Sequence, residues 1–144
     1  MPPRAQDSLH RIVDANVNRA LEGLRVCEEI VRFHCESPKT FRRMRDLRHT
    51  IAQSVAWLPV TSHALVQARA SGRDVGKRAP ASRIDSLERL LVINFQRVKE
   101  SLRTLEECSR ILSPRHTAAF QRLRFQTYEV ERDALLKLAT LRHP

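Results

Sequence analysis

The feature that most constrains this chain is a polar motif that occurs twice. Residues 16–29 read NVNRALEGLRVCEE and residues 94–107 read NFQRVKESLRTLEE, so both copies follow N-x-x-R-x-x-E-small-L-R-x-x-E-E. The apolar residues of each copy recur at the spacing of one face of an α-helix, which turns by about 100° per residue. The two copies therefore predict two related helices within a duplicated architecture.

A helical wheel places the polar residues of the motif relative to the apolar stripe. Asn16, Arg19 and Gly23 lie along one flank of the stripe, where polar groups are partly buried and need partners, and the second copy repeats this relation. Asp14 and Glu28 fall nearer the polar side. Glycine inside a helix costs about 0.5–1 kcal/mol relative to alanine, so Gly23 indicates a close helix crossing or a ligand. The flank is therefore either a buried hydrogen-bond network between helices or a binding face.

The apolar periodicity and the turn residues predict an all-α, four-helix domain. It extends over residues 1–144 and consists of a helical hairpin at 8–58, a long loop at 59–83 and a second hairpin at 84–142. Because the motif and its surroundings are duplicated, we expect a pseudo-twofold axis between the hairpins. The two polar faces could then meet across that axis.

Local signals predict the ends of the helices. Asp7 or Ser8 is expected to cap the first helix, and Asp85 with Glu88 is expected to form a capping box at the start of the third. Within the loop, residues 64–69 are expected to form a short helix. A loop of this length in a small helical domain is usually functional or disordered.

The composition narrows the classes of function. The net charge is +10, with 26 Lys and Arg against 16 Asp and Glu, which suggests a polyanionic partner such as a nucleotide, a diphosphate or a nucleic acid. A genome of high GC content would also enrich arginine. No stretch approaches the ~20 apolar residues of a membrane span, and the three cysteines have no metal-binding spacing. Cys27 and Cys108 are predicted to pack as small apolar residues, and a reducing, cytoplasmic setting fits best.

The central loop contains two of the three glycines among several cations. Gly72 and Gly76 bracket Arg73-Asp74-Val75, but the spacing is not that of a Walker A motif. Glycines let backbone N–H groups turn toward an anion, and Asp74 is the natural carboxylate of this loop for magnesium. The alternative is a mobile basic surface loop without a ligand.

These residues together resemble a known family. Residues 14–28 are similar to the D-A-N-x-x-R-x-x-E-G-L-R-x-x-E signature of an all-helical hydroxymethylpyrimidine-phosphate kinase domain, which is often fused to the N-terminus of thiamin-phosphate synthase. The run from Arg69 to Gly76 resembles the family's R-x-x-x-x-D-x-G loop, residues 94–103 its N-F-x-R-x-x-E helix, and residues 123–129 its L-R-x-x-x-Y-x-x-E ending. The resemblance covers nearly the whole chain.

The chain departs from the family pattern at three places. Ala70 stands where the family usually has an acidic residue, and Ile93 stands where it usually has alanine. No synthase sequence follows Pro144. With these departures from the family, we expect either a free-standing kinase or a diverged paralogue.

The resemblance implies a transferase that uses ATP and magnesium to phosphorylate 4-amino-5-hydroxymethyl-2-methylpyrimidine phosphate to its diphosphate for thiamin synthesis. Phosphoryl transfer depends on positioning and charge neutralisation, which arginines and a metal ion supply. The residues expected to act in catalysis are Asp14, as a possible base, Arg19 and Arg97. Those expected to bind substrate or phosphate are Asn16, Glu22, Arg25, Arg69, Gly76, Asn94, Glu100, Arg103 and Arg124. Asp74 is the expected metal ligand, with Glu22 and Glu100 as further candidates.

Two other functions fit the sequence. One is a non-catalytic helical protein that binds nucleic acid, although the arginines of the motif alternate with glutamates and do not form an exposed basic stripe. The other is a non-catalytic partner of thiamin-phosphate synthase. If the kinase interpretation holds, we expect both motif faces to line one cavity and residues 59–81 to close over bound phosphates. The expected partners are the pyrimidine phosphate and ATP, with the synthase and a second copy in a homodimer as further candidates, but no membrane.

Overall fold

The structure, a computed structural model, describes residues 4–81 and 83–142, and it is all-α, as predicted. Within these residues there are five α-helices where four were predicted. They are α1 (Ala5–Ile30), α2 (Pro38–Gln53), α3 (Ser62–Ala68), α4 (Leu87–Leu112) and α5 (Thr117–Arg142). The additional helix is α3, the short helix expected inside the loop. A π-helical turn (Val31–Cys35) and three 3-10 turns (Ser54–Trp57, Ser71–Arg73 and Pro114–His116) lie between the helices.

The ends of the helices differ from the predicted caps for local reasons. α1 begins before Asp7 and Ser8, so neither residue is its N-cap, but Asp7 lies in the first turn, where its charge complements the helix dipole. The expected capping box at Asp85 is also wrong by one residue. The cap of α4 is Ser86, whose hydroxyl accepts a hydrogen bond of 3.0 Å from the backbone N–H of Arg89.

Helices α1 and α4, which carry the two copies of the motif, pack against each other at the centre of the molecule. α1 also contacts α2 and α3, while α5 covers α4 and α2. Gly23 of α1 faces α4 so closely that an added Cβ would lie 3.1 Å from the backbone oxygen of Asn94 and 3.2 Å from Cγ2 of Val98. Of the two explanations for this glycine, a close helix crossing is the one that the structure shows.

Each copy of the motif also contributes a buried glutamate to the packing of its neighbouring helix. Glu28 was predicted near the polar side, which is wrong: it is fully buried, and Arg48 of α2 donates from Nε to Oε2 at 2.6 Å and from Nη2 to Oε1 at 3.3 Å. Glu106 is engaged in the same way by Arg124 of α5, at 3.0 and 3.4 Å. A buried carboxylate is tolerated only with such partners, so these two pairs fix α2 and α5 against the central helices.

The predicted packing of Cys27 and Cys108 agrees with the structure. Cys27, Cys35 and Cys108 are free and buried, and burial raises the pKa of each thiol above its usual value. They therefore pack as apolar residues. Over the described ranges, none of the helices combines the length and the apolar character that crossing a membrane requires.

Candidate functional site

The polar faces of the two motif copies line a single cavity between α1 and α4, of about 670 Å³, which we call the repeat cavity. Six of its lining residues are equivalent pairs from the two copies: Asn16 and Asn94, Arg19 and Arg97, Glu22 and Glu100. Gly23 and Ser101, the small residues of the motif, also line it, together with Val26 and Thr104. The structure thus brings the duplicated residues together.

The two asparagines do not form a network between the helices. Asn16 donates from Nδ2 to the carbonyl oxygen of Ile12 at 2.8 Å, and Asn94 donates to that of Leu90 at 2.9 Å, each within its own helix. Both residues are buried, yet in the part of the chain that the structure describes neither side-chain oxygen accepts a hydrogen bond. The asparagines therefore form no interhelical network, and each has a side-chain oxygen available to a ligand in the cavity. The buried interhelical hydrogen bonds of the motif are made instead by Glu28 and Glu106.

The charged residues of the repeat cavity are not neutralised by the protein. Arg19, Arg97 and Glu22 have no hydrogen-bond or ion-pair partner within residues 4–81 and 83–142. Glu100 accepts a hydrogen bond of 3.0 Å from Gln96 of the same helix. All four side chains are exposed, whereas the sequence predicted a partly buried flank. Such cations and carboxylates remain available to a ligand.

A second cavity, of about 440 Å³, adjoins the first and lies between the N-terminal half of α1 and the segment after α3. We call it the loop cavity. It shares Asn16 and Arg19 with the repeat cavity and adds the side chains of Arg11, Arg69 and Asp74. Arg19 is therefore the cation that reaches both cavities.

The loop is fixed to α1 by one bidentate ion pair. Arg69 donates from Nε and Nη2 to the two carboxylate oxygens of Asp14, both at 2.8 Å, and the carboxylate raises the pKa of this guanidinium. Asn18 donates to the Asp14 carbonyl at 2.9 Å, and Arg11 contacts the carbonyl oxygen of Ala70 at 3.4 Å. Asp14 is thereby buried against the loop, which corrects its predicted place on the polar side. Its position makes it the anchor of Arg69.

The duplication is broken at this anchor. The position equivalent to Asp14 in the second copy is Val92, which has no charge with which to hold an arginine. Arg11 does have an equivalent, Arg89, but that residue is exposed and lines neither cavity. The loop cavity is consequently built on the first copy of the motif.

The remaining loop residues take up local contacts. Asp74 lines the loop cavity, and its Oδ1 accepts a hydrogen bond of 2.8 Å from the backbone N–H of Gly76. Gly76 itself lines neither cavity. No group of three or more His, Cys, Asp or Glu residues suited to a metal ion occurs in the described ranges. Any metal at Asp74 would therefore need most of its ligands from a substrate and water.

Besides Gly76, three predicted phosphate-binding residues lie outside both cavities. Arg25 pairs with Glu28 and Glu29, and Arg103 pairs with Glu106 and Glu107, on exposed parts of α1 and α4. Arg124 belongs to the buried pair with Glu106, which raises its pKa. None of these three arginines lines either cavity.

Sequence reasoning missed Arg11 and Asn18 as cavity residues and Arg48 as the partner of Glu28. Arg11 and Asn18 could have been found, because they precede and follow Asp14 by three and four residues and share its helix face. Arg48 could not, because nothing in the repeated motif indicates which side chain of α2 approaches Glu28.

Comparisons with known proteins agree with the repeated motif. The model of the ThiD2 family matches residues 11–133. The thiamine-phosphate synthase of Synechocystis is 36% identical over 135 residues, which are 91% of this chain but 37% of that protein. The thiamine-phosphate synthase of Rhodopirellula baltica is 34% identical over 135 residues, 91% of this chain and 35% of that protein. The chain thus spans just over a third of the length of these curated relatives. No solved structure gives a significant match.

Proposed function

The chain belongs to the ThiD2 family, and from that premise we propose that it is a phosphotransferase of thiamin synthesis, which transfers the γ-phosphoryl group of ATP to hydroxymethylpyrimidine phosphate. The observation that carries this proposal is the repeat cavity. Two unpaired arginines and two exposed glutamates from the duplicated motif face one space there. Phosphoryl transfer requires such fixed charges around the phosphates more than it requires covalent chemistry.

The acceptor in this reaction is a phosphate oxygen of the pyrimidine monophosphate. The chemistry of this oxygen determines which catalytic groups the protein must supply. The second pKa of a phosphate monoester is about 6, so the nucleophile is already ionised near neutral pH. A general base is then unnecessary, and Asp14, whose carboxylate is engaged by Arg69, has a positioning role. The principal cost is the approach of two anions, which Arg19 and Arg97 would offset.

Magnesium fits the carboxylates of the repeat cavity. This ion takes only one or two protein carboxylates when phosphates and water complete its shell, and Glu22 and Glu100 are exposed to the cavity. Bound there, magnesium would supply charge neutralisation on the β- and γ-phosphate oxygens. Asp74 remains a further candidate ligand through the carboxylate oxygen that Gly76 does not use.

We also infer that α1–α2 and α4–α5 are two hairpins related by a pseudo-twofold axis. The contacts of α1 with α2 and of α4 with α5 support this inference, and so do the equivalent pairs in the repeat cavity. A homodimer and a complex with a thiamin-phosphate synthase are further proposals. The second rests on the names of the relatives that this chain resembles.

Nucleic-acid binding is less well supported. Seven of the 22 arginines form ion pairs with carboxylates, namely Arg25, Arg43, Arg48, Arg69, Arg103, Arg110 and Arg124. Arg19 and Arg97, which have no such partner in the described chain, line a cavity together with Glu22 and Glu100. A phosphate backbone is usually bound by an exposed stripe of cations that lack such partners.

A coupled assay tests the proposed function. Purified protein is incubated with ATP, magnesium and hydroxymethylpyrimidine phosphate, and both ADP and the pyrimidine diphosphate are measured. We expect turnover with the native chain and with Arg122→Gln, an exposed residue outside both cavities, and its loss with Arg97→Gln. Absence of diphosphate with the native chain would refute the proposal. Tight, steeply salt-dependent RNA or DNA binding without turnover would favour the alternative.

A further inference from the structure

We propose that the two cavities divide the two substrates of the phosphotransferase proposed above. The loop cavity binds the pyrimidine monophosphate through Arg11 and Arg19, and the repeat cavity binds the magnesium-bound triphosphate of ATP through Arg97 and Arg19. This inference rests on the proposed function. It adds which cavity binds each substrate and which residue, Arg19, contacts both substrates.

The charges of the repeat cavity suit a nucleotide that carries a metal ion. Its lining includes two guanidinium groups, those of Arg19 and Arg97, and two carboxylates, those of Glu22 and Glu100. A monophosphate without a metal ion would be repelled by these carboxylates, whereas a magnesium ion bound to a triphosphate would be coordinated by them. This cavity is also the larger of the two, at about 670 Å³. The larger substrate, which brings its own cation, therefore belongs here.

The charges of the loop cavity suit a small anion without a metal ion. The lining includes three cationic residues, Arg11, Arg19 and Arg69, and two carboxylates, Asp14 and Asp74. Of these carboxylates, Asp14 already forms an ion pair with Arg69. The only hydrogen bond of Arg11 in the described chain is the long one to the Ala70 carbonyl, so most of its donors are free. At about 440 Å³ the cavity is suited to a single ring with one phosphate.

Arg19 lies where the two phosphates must meet, because it lines both cavities. A reaction between two phosphates brings like charges together, and a cation at their junction offsets the repulsion. An oxygen of the monophosphate forms a bond to the γ-phosphorus while the bond from that phosphorus to the β–γ bridging oxygen breaks. The bond's electron pair leaves on ADP, the attacking oxygen is already deprotonated, and nothing is oxidised or reduced.

Separate binding titrations test this division. Calorimetry would measure the affinity of the intact chain for pyrimidine monophosphate and, in a second series, for a magnesium-bound non-hydrolysable ATP analogue. We expect Arg11→Gln to weaken monophosphate binding tenfold or more and to leave binding of the ATP analogue within twofold. Arg97→Gln should do the reverse. Arg89→Gln, the equivalent of Arg11 in the second copy, should change neither affinity and is the matched control.

Two further measurements complete the test. Arg11→Lys, which keeps a cation on a side chain of similar length, should restore part of the monophosphate affinity. Arg19→Gln should weaken both ligands. The division is overturned if Arg11→Gln and Arg97→Gln weaken the same ligand, if each weakens both, or if the native chain binds neither. If the native chain binds both ligands with the expected pattern but makes no diphosphate, the proposed reaction fails and the division of ligands stands.

Discussion

Asp14 on α1 and Arg69 after α3 are joined by two hydrogen bonds of 2.8 Å, although 55 residues separate them. The chain that leaves α3 is therefore held against α1 at Arg69 and, through the long hydrogen bond from Arg11, at the adjacent Ala70. Beyond these residues Ser71–Arg73 and its neighbours are exposed and make mostly local contacts. The ion pair defines one wall of the loop cavity, and its removal should open that wall.

The substitution Asp14→Asn tests this anchor. It removes the charge that holds Arg69, so we expect trypsin to cleave after Arg69 and Arg73 several times faster, with unchanged cleavage elsewhere. The free energy of unfolding should change little, because the Arg69 side chain is 47% exposed and its ion pair is screened by water. Asp85→Asn, an exposed carboxylate at the other end of the loop, is the control. Equal cleavage rates for both variants would show that the loop is held by other contacts.

Arg19→Met and Arg97→Met should separate activity from stability. Neither arginine has a partner within the described residues, so removing its charge leaves no buried carboxylate unpaired. We expect melting temperatures close to that of the native chain and a fall in turnover of about a hundredfold, which corresponds to roughly 3 kcal/mol of lost charge-assisted contact. Thermal unfolding and the coupled assay provide the two readouts. A collapsed melting temperature with normal turnover would make the repeat cavity a purely structural feature.

Arg48→Met should act in the opposite way. It leaves the fully buried Glu28 without its bidentate partner, and loss of one member of a buried pair costs about 3–5 kcal/mol. Arg25→Met removes only the exposed partner of the same carboxylate and should cost less than about 1 kcal/mol. Denaturant unfolding of both variants measures the difference. If Arg25→Met instead leaves stability unchanged and abolishes turnover, the prediction that Arg25 binds phosphate is supported.

Gly23→Leu should force α1 and α4 apart. A Cβ at this position already lies 3.1 Å from a backbone oxygen, and a backbone atom cannot rotate away as the end of a side chain can. We expect a loss of about 1–3 kcal/mol, as for other overpacked cores. Ser101→Ala, at the equivalent position of α4, is the control and should change stability by less than about 1 kcal/mol. A Gly23→Leu variant as stable as the control would show that the two helices can separate at no cost.

The duplicated motif made much of this arrangement predictable. A repeat of 14 positions with helical periodicity specifies two similar helices, and the structure places both polar faces on one cavity. The wheel placed Asn16 and Asn94 on a partly buried flank, and in the structure both are buried. It wrongly placed the side chains of Arg19 and Arg97 on a partly buried flank. A wheel gives the direction in which a side chain leaves its helix but not the distance to the neighbouring helix, and that distance decides whether the side chain is buried.

Contacts between distant segments could not be predicted from the repeat. Glu28 has the local appearance of a surface residue, and only the approach of Arg48 from α2 makes its burial possible. The anchor between Asp14 and Arg69 likewise depends on where α3 directs the chain after it crosses α1. The roles of the cavity residues in binding and catalysis stay predictions until the ligands are titrated.

The presence of Val92 where the first copy has Asp14 has a consequence for stoichiometry. A protein built from two copies of one motif could in principle hold two equivalents of the same small ligand, one on each half. The carboxylate that anchors Arg69 lies in the first copy, and the loop cavity is built on that half of the described chain. We therefore expect binding of the pyrimidine monophosphate to saturate at one equivalent per chain. ATP, the phosphoryl donor, would bind on the side of the repeat cavity. The phosphoryl group would then always pass from the repeat cavity to the loop cavity.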